Sequence, residues 1–173
     1  MISRVQGADF SSPPAAPVAL AMIAPDMAPN VGATIRLAAC LGAPIHIVEP
    51  CGFPFGPRAW RRQAMDYAAM AEIAHHRGWQ AFLTATAGAR LIALSARAAV
   101  PIWHHAFAPG DILLLGSETA GLAPEVQAAA AARVAIPLVP GARSLNVAQA
   151  AAIALAEAQR QTQKLPNDPL YVE

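Results

Sequence analysis

The 173-residue chain has the length of one domain, carries a net charge of +1 and is 55% hydrophobic, with a mean hydropathy of +0.37. So small a charge excludes a global basic field, and any affinity for nucleic acid must come from local clusters. Arg36, His46, Arg133 and similar residues interrupt every apolar stretch before the roughly 20 residues of a membrane span accumulate, so the apolarity predicts core and no membrane partner.

Met1 to Ala16, with three prolines by Pro17, reads as a loose arm before a domain over 17–163, and 164–173 as an Asn/Pro tail. Val18 to Ala24 predicts a strand closed by Pro25. Asn30 then opens a helical pattern through Ile35, Leu37, Ala38 and Leu41 that stops at Gly42. Pro44 to Val48 predicts the next strand, Phe53 to Pro57 a Pro/Gly/aromatic loop, and Arg58 to Met65 a short helix. Ala68 to Ala74 follows as a weak strand and Gly78 to Thr84 as a helix. Arg90 to Ser95, Ile112 to Gly116 and Val134 to Pro137 read as brief buried strands, with a helix near Pro124 to Ala132 and a final helix over Ser144 to Gln163. Strands alternating with helices predict an α/β fold, a mostly parallel sheet covered on both faces.

Leu113-Leu114-Leu115-Gly116-Ser117-Glu118-Thr119-Ala120-Gly121-Leu122, then Ile136-Pro137, then Ser144-Leu145-Asn146-Val147, place turns and a helix start at successive strand ends. Unpaired backbone groups there suit a small polar ligand. The glycine-rich turn lacks the lysine and the spacing of a phosphate cradle, which disfavours a nucleotide pyrophosphate. Taken singly, Glu118 reads as a helix-start carboxylate and Ser144 or Asn146 as a cap. Asn30 reads as an N-cap with Gly32 beside it, and Arg36, six residues on, projects towards the mouth of the sheet.

Arg58, Arg61 and Arg62, with Phe53, Phe55, Trp60 and Tyr67, form a basic and aromatic cluster. Phosphate contacts and stacking faces suit looped RNA, although aromatic loop residues also serve as core plugs. All but one of the 12 Lys and Arg residues are arginine, which fits phosphate pairing and GC-rich coding bias alike. His75-His76 and His104-His105 are adjacent pairs whose side chains do not converge, so no metal site is expected. Cys40 and Cys51 lack metal or nucleophile patterns and read as buried thiols in a reducing cytoplasm.

Asn30-x-Gly32-x-x-x-Arg36, the Leu115 to Leu122 motif, and Ile136-Pro137 with Ser144-Leu145-Asn146-Val147, in that order, resemble the motifs of the SPOUT methyltransferases. From about Pro17 to Gln161 the chain is similar to the minimal TrmL-type tRNA 2'-O-methyltransferases, with Gly52-Phe53, Arg61-Arg62 and Asp66-Tyr67 in agreement. The resemblance implies a C-terminal trefoil knot, an exception to the rule against threaded connections. It also implies S-adenosylmethionine as cofactor, a homodimer, and methylation of the wobble cytidine or uridine 34 of leucine tRNAs. Another tRNA or ribosomal RNA position, or a non-catalytic RNA-binding role, are the rival readings. By the same resemblance Leu94, Leu115, Gly116, Glu118, Ile136, Ser144, Leu145 and Asn146 hold the cofactor and Arg36 and Asn30 are catalytic. Arg58, Arg61 and Arg62 meet the tRNA anticodon stem-loop. Ala156 stands where many relatives carry a tyrosine.

Overall fold

The computed structural model describes residues 17–56, 58–59 and 64–162. The predicted arm at 1–16, the tail at 164–173 and Gln163 lie outside them, as do Arg61 and Arg62. In chain order the elements are β1 (Ala19–Ile23), α1 (Ala28–Leu41), β2 (Ile45–Val48), a 3-10 turn (Met65–Ala69), β3 (Ile73–His76) and α2 (Trp79–Ala85). β4 (Leu91–Leu94), β5 (Val100–Pro101), a second 3-10 turn (Ile102–His104), β6 (Ile112–Leu115), α3 (Pro124–Ala129), β7 (Ala132–Ala135) and α4 (Val147–Thr162) complete the series.

The strands form one seven-stranded sheet in the order β3-β2-β1-β6-β4-β7-β5, and all its pairings are parallel. Every residue of β1 and β6 is buried, as a central parallel strand requires. Alternation divides the apolar residues between two cores. Leu20, Met22, Ile45, Ile47, Leu113 and Leu115 pack with Val31 and Ile35 of α1 and Ala151, Ala154 and Leu155 of α4. Ala19, Ala21, Ala93 and Leu114 belong to the opposite core with Phe82 of α2 and Val126 of α3. The chain leaves β1 towards β2 and β3 but leaves β6 towards β7, on the other side. β1 and β6 therefore flank a topological switch point, where the loops at strand ends splay apart and open a crevice.

Polar contacts lock this frame. Asp111, only 1% exposed, accepts from Arg90 Nε and Nη2, each at 2.7 Å, and from the Ala108 amide at 2.9 Å. From α4, Gln159 donates to the Leu41 carbonyl at 2.8 Å, and Gln161 accepts from the Phe107 amide at 2.9 Å. These bonds tie the last helix to the end of α1 and to the loop before β6.

Several elements differ from expectation. Where a strand over Ala68 to Ala74 is predicted, a 3-10 turn occupies Met65–Ala69 and β3 starts at Ile73. β5 escapes sequence patterning because it is two residues long and ends in proline. β7 stops at Ala135, ahead of Pro137, which has no N–H to donate to a ladder. The final helix starts at Val147, not Ser144, because Asn146 Oδ1 accepts from the Ala148 amide at 2.9 Å and so acts as its cap. α1 is capped at Met27 with Pro29 in its first turn, so Asn30 lies inside the helix and its side chain is free for other work. Cys40 is exposed, not buried, and Cys51 is half-buried.

His75 and His76 point away from each other. Phe55 stacks on His75 with 3.8 Å between centroids, and Glu49 lies 3.4 Å from the same ring. His76 Nε2 meets His46 Nδ1 at 2.9 Å beside the edge of Phe82. Burial, then the neighbouring His76, lowers the His46 pKa from 6.5 to about 4. The folded state thus binds fewer protons than the unfolded chain between those values, and stability falls as pH drops from about 6.5 to about 4. In thermal denaturation across that window, His46→Gln is expected to show a shallower acid decline than wild type; equal slopes would refute the assignment.

Candidate active site

The loops that follow β1, β4, β6 and β7, with the start of α4, enclose a cavity of about 690 Å³. Leu94, Leu115, Gly116, Glu118, Ile136, Ser144, Leu145 and Asn146 all border it, as does Asn30. Residues nominated from segments more than 100 positions apart in sequence are therefore brought together. Leu94, Ile136 and Leu145 supply apolar wall, and volumes of roughly 300–1,000 Å³ suit cofactor-sized molecules.

The β6 loop is shaped by close backbone approach. A Cβ on Gly116 would lie 2.3 Å from the Gly121 carbonyl carbon and 2.4 Å from the Leu122 nitrogen, so only glycine fits. Ser117 and Gly121 exchange backbone hydrogen bonds at 3.2 and 2.9 Å, closing the turn, and Gly121 sits at φ 71. The turn's Glu118 receives two donors: the Asp26 amide on Oε2 at 2.8 Å and Asn30 Nδ2 on Oε1 at 2.7 Å. Asn30 Oδ1 in turn accepts from Asn146 Nδ2 at 2.9 Å. Glu118, Asn30 and Asn146 form a continuous relay that ties the β6 loop, the first turn of α1 and the cap of α4 into one wall.

Asp26 and Thr119, which sequence reasoning missed, add a second tie. Asp26 Oδ2 accepts from Thr119 Oγ1 at 2.6 Å and from its amide at 3.1 Å. These bonds, the hydroxyl's first, hold the Asp26 carboxyl below its ordinary pKa. Gly52 packs against the same residue, since a Cβ there would stand 2.8 Å from the Asp26 carbonyl oxygen. The only signal in sequence is the turn dipeptide Pro25-Asp26 and the glycine of Gly52-Phe53.

Arg36 is not among the residues that border the cavity. It is exposed on α1, with its guanidinium 5.0 Å from the centre of the Tyr67 ring and Nη1 3.4 Å from Met65 Sδ. The contact with Tyr67 is one that the sequence does not announce, an aromatic face attracting the cation. Met65 has φ 51, an uncommon conformation for a residue with a side chain. Arg58 is exposed, while Arg97 and Arg143 stand at the cavity rim. Among the described residues no group of three or more His, Cys, Asp or Glu is arranged to hold a metal ion.

Residues 17–156 match the model of the SpoU rRNA Methylase family. The chain belongs to this family. It is 48% identical over 147 residues to the tRNA (cytidine(34)-2'-O)-methyltransferase of Ancylobacter novellus, covering 84% of this chain and 93% of that one. The protein of the same name from Beijerinckia indica is 47% identical, with 82% and 90% covered. A solved structure described as giving insights into the 2-OH methylation of C/U34 on tRNA superposes with a TM-score of 0.79 at 37% identity, covering 83% of this chain and 95% of that one. An AdoMet-bound rRNA methyltransferase from Sinorhizobium meliloti superposes with a TM-score of 0.75 at 30% identity, covering 86% and 57%.

In this SpoU family member the crowding at Gly116 yields a sharp contrast. Gly116→Ala is expected to destabilise the fold by at least about 2 kcal/mol, because its new methyl meets backbone. Gly56→Ala, with nothing within 4 Å of its Cβ position, should stay within about 0.5 kcal/mol of wild type in chemical denaturation. Equal effects would show that the turn is not tightly threaded.

Proposed function

We propose that this chain transfers a methyl group from S-adenosylmethionine to the ribose 2'-hydroxyl of the wobble nucleotide, cytidine or uridine 34, of leucine tRNAs, acting as a cytoplasmic homodimer. The observation that carries the reading is the convergence of all eight nominated residues on one cavity in a chain 48% identical to a named tRNA (cytidine(34)-2'-O)-methyltransferase. The cavity suits the cofactor: the tight turn at Gly116 borders it, and Leu94, Ile136 and Leu145 offer apolar faces to an adenine. The C-terminal knot that the resemblance implies would fit loops tied to one another in this way.

S-adenosylmethionine supplies a methyl on a sulfonium, already an excellent leaving group. What remains for the protein is alignment and loss of the hydroxyl proton. Glu118 spends both oxygens on the Asp26 amide and Asn30, so its work is to hold the loop in shape. Asn30, fixed between Glu118 and Asn146, presents a rigid wall beside the reacting atoms. A guanidinium is a poor general base, and Arg36 suits the stabilisation of a developing alkoxide. Its soft contacts with Met65 and Tyr67 leave most of the guanidinium fork without a hydrogen-bond partner among the described residues, available to an RNA oxygen. Arg58, with Arg61 and Arg62, supplies phosphate contacts to the anticodon stem-loop.

Mass spectrometry of tRNA nucleosides from a deletion strain should show loss of 2'-O-methylation at position 34 of leucine tRNAs; intact wobble methylation would overturn the assignment. Arg36→Ala should lower methyl transfer by about 100-fold or more, with S-adenosylhomocysteine affinity by calorimetry within about twofold of wild type if the guanidinium acts on the transition state. Lost cofactor affinity would reassign it to binding.

A further inference from the structure

A second cavity, of about 650 Å³, lies at the C-terminal ends of β1, β2 and β3, bordered by Ile23, Glu49, Phe53, Arg77, Trp79 and Glu125 among others. Nothing in the methyl-transfer reading uses it. It shares two chain segments with the first cavity: the loop after β1 gives Ala24 to this one and Met27 to the other, and the chain after β6 gives Glu125 here and Leu122 there.

Its chemistry is specific. Trp79 is half-buried and stacked on Phe82 at 5.3 Å and 23°, which fixes the plane of the indole; Phe53 is anchored against the core. Two rigid aromatic groups at one cavity give a π-face of the kind on which bases stack. Around them stand two carboxylates, Glu49 and Glu125, and one guanidinium, Arg77. Two negative groups against one positive exclude a site for phosphate alone, yet carboxylates accept well from the amino group of cytosine, and the same holds for those of adenine and guanine. Arg77 is exposed and free to meet a backbone phosphate beyond the base. Cys51 adds only neutral wall, because burial, then Glu49, raises its thiol to a pKa of about 11. Ala24 holds φ 50, a conformation that residues with a side chain adopt sparingly and that clusters at ligand-binding sites.

We infer that this cavity binds one unstacked RNA base carrying an exocyclic amino group, a neighbour of the methylated nucleotide in the same loop. The inference rests on the proposed action on tRNA. A base held here would fix the register of the loop over the cofactor cavity and so select among RNAs.

The test is a double-mutant cycle on the full chain, using an anticodon stem-loop hairpin of leucine tRNA in which each loop base is replaced in turn by an abasic site. Trp79→Leu is expected to weaken hairpin binding by about tenfold or more, with S-adenosylhomocysteine affinity unchanged and Trp79→Phe retaining most of the binding. One abasic position should cost wild type the same factor and cost Trp79→Leu nothing further. As a variant that spares packing, Glu49→Gln with Glu125→Gln should lose discrimination between an amino-bearing base and its deaminated analogue at that position. If the hairpin binds wild type but no position couples to Trp79 and the glutamine pair still discriminates, the inference falls and the proposed function stands. If wild type binds S-adenosylhomocysteine but no hairpin, the tRNA assignment falls and takes the inference with it.

Discussion

The active-site wall depends on Glu118 having two donors from a different part of the chain. Its carboxylate meets the Asp26 amide and the Asn30 side chain, residues 92 and 88 positions away. The loop after β6 is thereby bound to the segment joining β1 to α1. Extending the relay through Asn146 brings in the start of α4, 116 positions from Asn30. None of these contacts exists in a locally folded fragment. A charged acceptor with two good donors is stronger than a neutral one, and leaving those donors unmet in a half-buried setting costs free energy. The cavity is formed only when the loops are in place together, which makes its shape a property of the whole fold.

Much of the fold is legible in the sequence because central parallel strands are continuously apolar. Val18 to Ala24 and Ile112 to Gly116 stand out for that reason, and they are the strands on either side of the switch point. Legibility fails where a local rule has two users. Asn30 is a good N-cap residue, but Pro29 is at home in a helix's first turn and Met27 takes the cap, releasing the asparagine amide to the relay. Asn146 shows the reverse: it is both the cap of α4 and a member of the relay, so its cap reading and its site reading are each correct. Asp26 and Thr119 were hidden because their pairing spans 93 positions and neither belongs to a recognisable spacing.

The arginines divide by what holds them. Arg90 is gripped by the buried Asp111 and is part of the frame. Arg160 pairs with Glu157 on α4, whose carboxyl is held down to about 2 chiefly by that hydrogen bond. Arg36 rests on a thioether and a ring face, contacts that orient a cation without neutralising it. Sequence identity alone draws no line between these groups; the partner does.

With a net charge of +1, long-range attraction cannot select one RNA from another. Phosphate contacts from local arginines add affinity that is blind to sequence. The proposed reaction acts on a ribose hydroxyl, a group every ribonucleotide possesses. Discrimination must therefore come from surfaces that read bases in a loop, where bases are unstacked and their edges accessible. Phe53 follows β2 and Trp79 follows β3, at a cavity that shares the segments after β1 and β6 with the larger one. A structural link between the two cavities exists in the segment 24–27, where Ala24 faces one, Met27 the other, and Asp26 between them is fastened to Thr119. The backbone that borders one cavity is thus the same short stretch that donates to Glu118 at the edge of the other.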